Sequence, residues 1–113
     1  MAELGEVTVV RVYLHEADHG RRKSLMQEIL AALRDQYRVR GVTVFRGIAG
    51  AGDTGEVHAS DILRLTVDLP LVIEFFDRTE VVVAVIRALR ELIGNHPIVS
   101  WPARVIEPDR MSA

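Results

Sequence analysis

Residues 41–77 read GVTVFRGIAGAGDTGEVHASDILRLTVDLPLVIEFFD, and they decide how the chain folds. Residues 42–48 form a β-branched run of strand length that breaks at Arg46-Gly47. Four of the eight glycines then fall between Gly47 and Gly55. After a short apolar run, Leu69-Pro70 opens a second strand-like segment that reaches Asp77. Two strands joined by a long glycine-rich connection are therefore expected at the centre of the chain. Glycine has no Cβ, so such a connection can wrap backbone N–H groups around a ligand or move freely. The chain on either side reads as scaffold, which places the functional expectation here.

Working outward, residues 7–14 form a β-branched run, and residues 15–23 a polar connection. Ser24 with Gln27 three positions on fits a capping box. Leu25, Met26, Ile29, Leu30, Leu33 and Tyr37 follow at helical spacing, which predicts a helix over 24–38 with Gly41 at its exit. On the other side, Val82, Val85, Ile86, Leu89, Leu92 and Ile93 make one stripe of a helix over 79–93. Gly94-Asn95 and Pro97 stop it. Residues 98–106 form the last strand, where Pro102 marks a bulge or an edge position.

The order is β-α-β-β-α-β: an α+β, ferredoxin-like fold with a four-stranded antiparallel sheet and two helices on one face. The opposite face of such a sheet is polar where it meets water. Here strand 7–14 carries Val10, Val12 and Leu14 on one side and Val7, Val9 and Tyr13 on the other. Strand 69–77 sets Leu71, Ile73 and Phe75 against Val72 and Phe76. A second apolar face implies a buried subunit interface, hence a homo-oligomer, a closed ring being the simplest form. Glu74 lies on that face and calls for a cationic partner.

At 113 residues the chain is expected to form one domain, with a core over about 7–106 and a tail at 107–113. A net charge of −2 argues against nucleic acid as a partner. There is no cysteine, which excludes disulfides and thiolate metal or redox sites. No apolar run approaches the ~20 residues of a membrane span, and residues 1–14 do not read as a signal peptide. No membrane insertion and a cytoplasmic location are the expectations.

Several motifs bear on chemistry. Gly50-Ala-Gly52-Asp-Thr-Gly55 spells GxGxxG after a strand, and a short helix over 56–65 would make it a pyrophosphate cradle of a nucleotide-dependent enzyme. Against this, it follows the second strand of the chain, with a helix already before it. His15, Glu16, Asp18 and His19 supply metal-ligand chemistry, but they straddle a strand end and a turn, so helical HExxH geometry does not apply. His58, Ser60 and Asp61 hold triad residue types, yet a triad is built by convergence in space, and adjacency says little. No catalytic residue is assigned, and no cofactor is implied. Arg46 ends its strand at the glycine loop, where its guanidinium can fork onto a phosphate or carboxylate. The alternative for it is an intersubunit bridge, Glu74 being one partner. Arg64 stands at the other base of the loop with the same two readings.

Val42-Thr43-Val44-Phe45-Arg46-Gly47, then His58, then Asp68-Leu69-Pro70 with Val72-Ile73-Glu74, resembles the PII-like "domain of unknown function 190" family. Val12-Tyr13-Leu14, Glu16, Asp18, Lys23 and Leu25 fit the same resemblance, which covers about residues 7–106. It implies a trimer similar to PII signalling proteins, which bind adenine nucleotides between subunits and dock a long loop onto transporters and enzymes. Carried onto this sequence, it implies a non-enzymatic regulatory protein that binds a small anionic effector, such as an adenine nucleotide. The ligand-binding residues would be Arg46, Gly47, Gly50, Gly52, His58 and Arg64. A membrane transporter is one partner it implies. Where PII proteins place two phosphate-binding arginines, this chain has Glu107 and Asp109, and its Gly94-Asn95-His96-Pro97 lacks the lysine of the PII phosphate loop. An effector with fewer phosphates than ATP, or another anion, fits better. The trimeric ferredoxin-like copper-tolerance proteins supply the alternative from another class, metal-ion binding.

Overall fold

The structure is a computed structural model that describes residues 3–20, 22–51, 57–59 and 69–107. Strand β1 (Glu3–His15) leads into helix α1 (Leu25–Ala31), and a π-helical turn (Ala32–Gln36) continues it. Strand β2 (Gly41–Arg46) and the short strands β3 (Ala49–Ala51) and β4 (Val57–Ala59) follow. Strand β5 (Pro70–Asp77), helix α2 (Thr79–Ala88), helix α3 (Arg90–Ile93) and strand β6 (Ile98–Glu107) complete the described chain. The main sheet is ordered β2-β5-β1-β6, and every neighbouring pair is antiparallel. This is the expected ferredoxin-like arrangement, with the helices packed on one face.

The core lies between that face and the helices. Val10, Val12 and Leu14 of β1 and Leu71, Ile73 and Phe75 of β5 alternate inward, as period-2 geometry requires. Leu25, Ile29 and Leu33 meet them from one helix, and Val82, Val85, Leu89 and Ile93 from the other. The Ser24 hydroxyl accepts the Gln27 N–H at 3.3 Å, so the cap read from the sequence starts α1.

Both helices depart from their expected form near their C-terminal ends. The first closes in a π turn, where the Tyr37 N–H donates to the Ala32 carbonyl at 2.9 Å. The chain then leaves through Arg38 at φ 48°, a left-handed conformation strained for a side chain. Tyr37 and Val39 pack against the core on either side of it, which offsets that strain. The second helix kinks at Leu89, whose φ of −95° and ψ of 5° separate α2 from α3. Helical hydrogen bonds still cross the kink, from Leu89 to Val85 and from Ile93 to Leu89, each 2.9 Å. Gly94 ends it at φ 60°, as the Gly94-Asn95 stop implied.

The register of β1 with β6 runs unbroken from Glu3↔Glu107 to Val12↔Ile98. Pro102 therefore sits on an outer strand without a bulge, where its missing N–H is harmless. Asp77 is the buried charged residue among those described, and its two carboxylate oxygens accept the Arg78 N–H at 2.7 Å and the Arg40 N–H at 3.1 Å. It thereby joins the start of α2 to the approach to β2.

The glycine-rich segment contains more regular structure than an open loop. Its flanks pair as an antiparallel ribbon, with Ala49↔Ala59, Gly50↔His58 and Ala51↔Val57. A Rossmann cradle needs a strand-to-helix turn. Here residues 57–59 are a strand, where the helix over 56–65 would have begun.

Candidate functional site

The topology gathers the candidate residues at one end of the sheet. β1 ends there at His15 and β2 at Arg46, while β5 starts there at Pro70 and β6 at Ile98. Helix α1 begins and α3 ends at the same pole. Three separate sequence features thus meet: the His15–His19 cluster, the base of the glycine segment and the Gly94–Pro97 turn.

Arg46 and Gly47 stand at the loop base. The Gly47 N–H donates to the Pro70 carbonyl at 2.8 Å, and a Cβ on Gly47 would lie 2.7 Å from Pro70 Cγ. Glycine is required here for close approach. Beside it opens a cavity of about 480 Å³ lined by Glu16, Ser24, Met26, Val44, Arg46 and Leu71. That volume falls within the roughly 300–1,000 Å³ of small-molecule sites. The lining is apolar on one side and charged at its rim, where the Arg46 guanidinium pairs with the Glu16 carboxylate.

Glu74, the other partner considered for Arg46, is engaged elsewhere within the chain. Arg11 Nε donates to it at 2.9 Å. That hydrogen bond raises the Arg11 pKa further above its ordinary value. The cation Glu74 called for is therefore Arg11, which the sequence shows only as a break in an apolar run. The signal was strand parity, since Arg11 and Glu74 face each other across β1 and β5. Three rows cross this open face: Phe45–Val72–Tyr13, Thr43–Glu74–Arg11–Val99 and Gly41–Phe76–Val9–Trp101. The Arg11 guanidinium lies 5.6 Å from the Phe45 ring centroid and 5.4 Å from that of Trp101. Tyr13, Phe45, Val99 and Trp101 are exposed in the single chain. The face is thus apolar and aromatic around one central ion pair.

The His15–His19 cluster serves the turn. Asp18 Oδ2 accepts the His15 N–H at 2.7 Å and lies 2.9 Å from His96 Nε2. His96 Nδ1 is 2.7 Å from the Ile93 carbonyl, and the Tyr13 N–H donates to the Pro97 carbonyl at 3.0 Å. The His19 backbone bridges to Ser24. Among the described residues, no three His, Asp or Glu side chains are grouped to hold a metal ion. Met26 and Leu71 line the cavity with no sequence signal beyond their apolar stripes, and Ser24, Val44 and His96 are marked in the sequence only for a cap, a strand and a turn; the meeting of distant elements brings them together.

Gly50 and His58 face each other across the β3–β4 ribbon, so the register brings two of the expected ligand-binding residues together. Gly52, Gly55, Ser60, Asp61, Arg64 and Asp109 lie outside the described residues.

Solved structures share this fold. The apo form of CPII from Thiomonas intermedia K12, a nitrogen regulatory PII-like protein, matches with a TM-score of 0.63 at 15% identity, over 96% of this chain and 100% of that one. CPII bound to ADP and bicarbonate matches at 0.62 and 16%, over 96% and 95%. A putative PII-like signaling protein from Thermus thermophilus matches at 0.58 and 12%, over 92% and 91%. The fold is therefore the PII-like form of the ferredoxin-like fold. Residues 7–105 match the family DUF190, described as "Uncharacterized ACR", and the chain belongs to that family. A UPF0166 protein of Methanocaldococcus jannaschii is 34% identical over 91 residues, which is 80% of this chain and 82% of the relative. One from Aquifex aeolicus is 31% identical over 88 residues, 78% and 80% of the two chains.

Proposed function

We propose that this chain is a one-domain PII-like regulatory protein rather than an enzyme. It assembles as a homotrimer through the open sheet face and binds a small anionic effector at the loop-base cleft. The observation that carries the reading is Arg46, a largely exposed guanidinium at the rim of a ligand-sized cavity bordered by the ends of β1, β2 and β5. Guanidinium geometry suits phosphate and carboxylate oxygens alike. Adenine nucleotides and bicarbonate are the effectors to try, because the PII-like protein CPII holds ADP and bicarbonate in one of its structures. Gly50 and Gly52 would offer backbone N–H groups, with His58 and Arg64 as further contacts, while Gly47, whose N–H is held by the Pro70 carbonyl, would line the cleft with its bare Cα. Effector binding would shift the glycine-rich segment and change what it presents to a partner, such as a membrane transporter. No helix among the described residues is long and apolar enough to cross a membrane, and a cytoplasmic site of action fits this reading.

The test is calorimetric titration with AMP, ADP, ATP and bicarbonate, alongside light scattering for assembly. Arg46→Ala should keep the trimer and weaken the bound effector by about 1.5–3 kcal/mol, the loss typical of a hydrogen bond to a charged group. Unchanged affinity in a trimeric Arg46→Ala would remove this cleft as the site. Binding of divalent metals but none of the four anions would favour the metal-tolerance reading.

A further inference from the structure

We propose that Glu16 is a built-in rival for the effector's anion at Arg46, and so determines which anions the cleft accepts. The inference rests on the cleft reading above. Both partners are held across the cavity by the start of β5. The Glu16 N–H donates to the Leu69 carbonyl at 2.9 Å, and the Gly47 N–H, next to Arg46, donates to the Pro70 carbonyl at 2.8 Å. The walls behind the ion pair are Met26, Val44 and Leu71, while the Ser24 hydroxyl accepts from the helix start.

The two partners are unequally free. The Arg46 side chain is 63% exposed and the Glu16 side chain 28%. The guanidinium can turn toward a ligand, whereas the carboxylate stays in the wall. Among the described lining residues Arg46 is the one cation and Glu16 the one anion, so the rim carries no net charge. An entering anion must take Arg46 from Glu16 and then sit beside a fixed negative charge. A singly charged oxyanion exchanges one carboxylate for another anion of similar charge, and a monophosphate, at about −1.5 to −2 near pH 7, adds less than ADP or ATP does. Among the described lining residues, each further negative charge meets the field of Glu16 with no added cation to answer it. Glu16 therefore sets a preference for low-charge anions over triphosphates, independently of Glu107 and Asp109.

The experiment measures AMP, ADP, ATP and bicarbonate affinities for the full chain in four forms: wild type, Glu16→Gln, Arg46→Ala and the double variant. Glutamine keeps the size of Glu16 and removes its charge. The expected result is a gain of about two- to five-fold for AMP in Glu16→Gln, the range of an exposed ion pair. The gain should increase through ADP to ATP, and in the Arg46→Ala background the AMP gain should shrink to the part due to repulsion alone. Equal or weaker AMP binding in Glu16→Gln overturns the proposal. Loss of nucleotide binding with bicarbonate unchanged would make Glu16 an acceptor for ligand hydroxyls instead. If wild type binds and Arg46→Ala binds equally, the cleft reading itself fails. A second measurement needs no ligand: exchange of the Arg46 Nε–H with water, followed by NMR. It should accelerate in Glu16→Gln, and in Glu16→Ala should the first variant fold poorly. Equal rates in wild type and variant overturn the ion pair and the rivalry with it.

Discussion

Gly47→Ala separates a glycine kept for space from one kept by chance. The Gly47 amide donates to the Pro70 carbonyl, closing the last rung between β2 and β5. An added Cβ would lie 2.7 Å from Pro70 Cγ, 3.5 Å from Pro70 Cβ and 3.4 Å from the Pro70 carbonyl oxygen. The first of these is far inside carbon–carbon contact near 3.5–4.0 Å. A proline ring can relieve little of this by changing pucker, because it is tied to its own backbone. The rest must come from parting β2 from β5, which lengthens the Gly47–Pro70 hydrogen bond. Overpacking of this kind costs about 1–3 kcal/mol. For a domain of this size each kcal/mol lowers Tm by roughly 3–6 °C. Gly5→Ala is the control, since its Cβ would meet nothing nearer than Arg40 Nη1 at 3.6 Å, an ordinary contact. There the alanine should be neutral, or stabilise slightly by restricting the unfolded chain. Urea and thermal denaturation of both variants, at one fixed protomer concentration, decide the matter. Equal stability of Gly47→Ala and Gly5→Ala would refute the close-approach argument and, with it, the rigid loop base that positions Arg46.

Other expectations follow from the same geometry. Asp77→Ala removes an acceptor from two backbone N–H groups and should destabilise by about 2–4 kcal/mol, moderated by water reaching the exposed Arg40 and Arg78. Asp77→Asn keeps one oxygen acceptor and should lose clearly less in urea denaturation; an equal loss would show that charge, not acceptor count, matters there. Trp101→Asp places a carboxylate in the row with Gly41, Phe76 and Val9. If the open face is the subunit interface, light scattering should fall from three chain masses to one while the fold survives, and an unchanged mass would relocate the interface. Arg11→Met strands the Glu74 carboxylate among aromatic and apolar side chains. It should weaken assembly at neutral pH more than Arg11→Met/Glu74→Leu does, and the reverse order would place the pair outside the interface.

Local patterning was enough to order the elements. Period-2 alternation in β1 and β5, the 3.6-residue stripes, the Ser24 cap and the Gly94 stop act over a few neighbouring residues, so the sequence carries them directly. The second apolar face was legible for the same reason, because strand parity assigns Val9, Tyr13, Val72 and Phe76 to it without knowledge of the fold. Arg46 and Gly47 were legible too, as the point where a β-branched run meets glycine. What surrounds them was not. Arg11 and Glu74 lie 63 residues apart, and Asp18 and His96 lie 78 apart. Their pairing depends on sheet order and register, which long-range packing decides. The same is true of Glu16, whose carboxylate reaches Arg46 only because β5 runs between the ends of β1 and β2. The ribbon in the glycine segment and the kink at Leu89 also escaped local reading, since glycine composition marks freedom without direction and Leu89 keeps both of its helical hydrogen bonds across the bend. Sequence alone determined the alternation of strands and helices and the residue at which the loop begins. Tertiary structure decided which charges face each other there, because an ion pair across strands is set by the closure of the sheet and not by any neighbour in the chain.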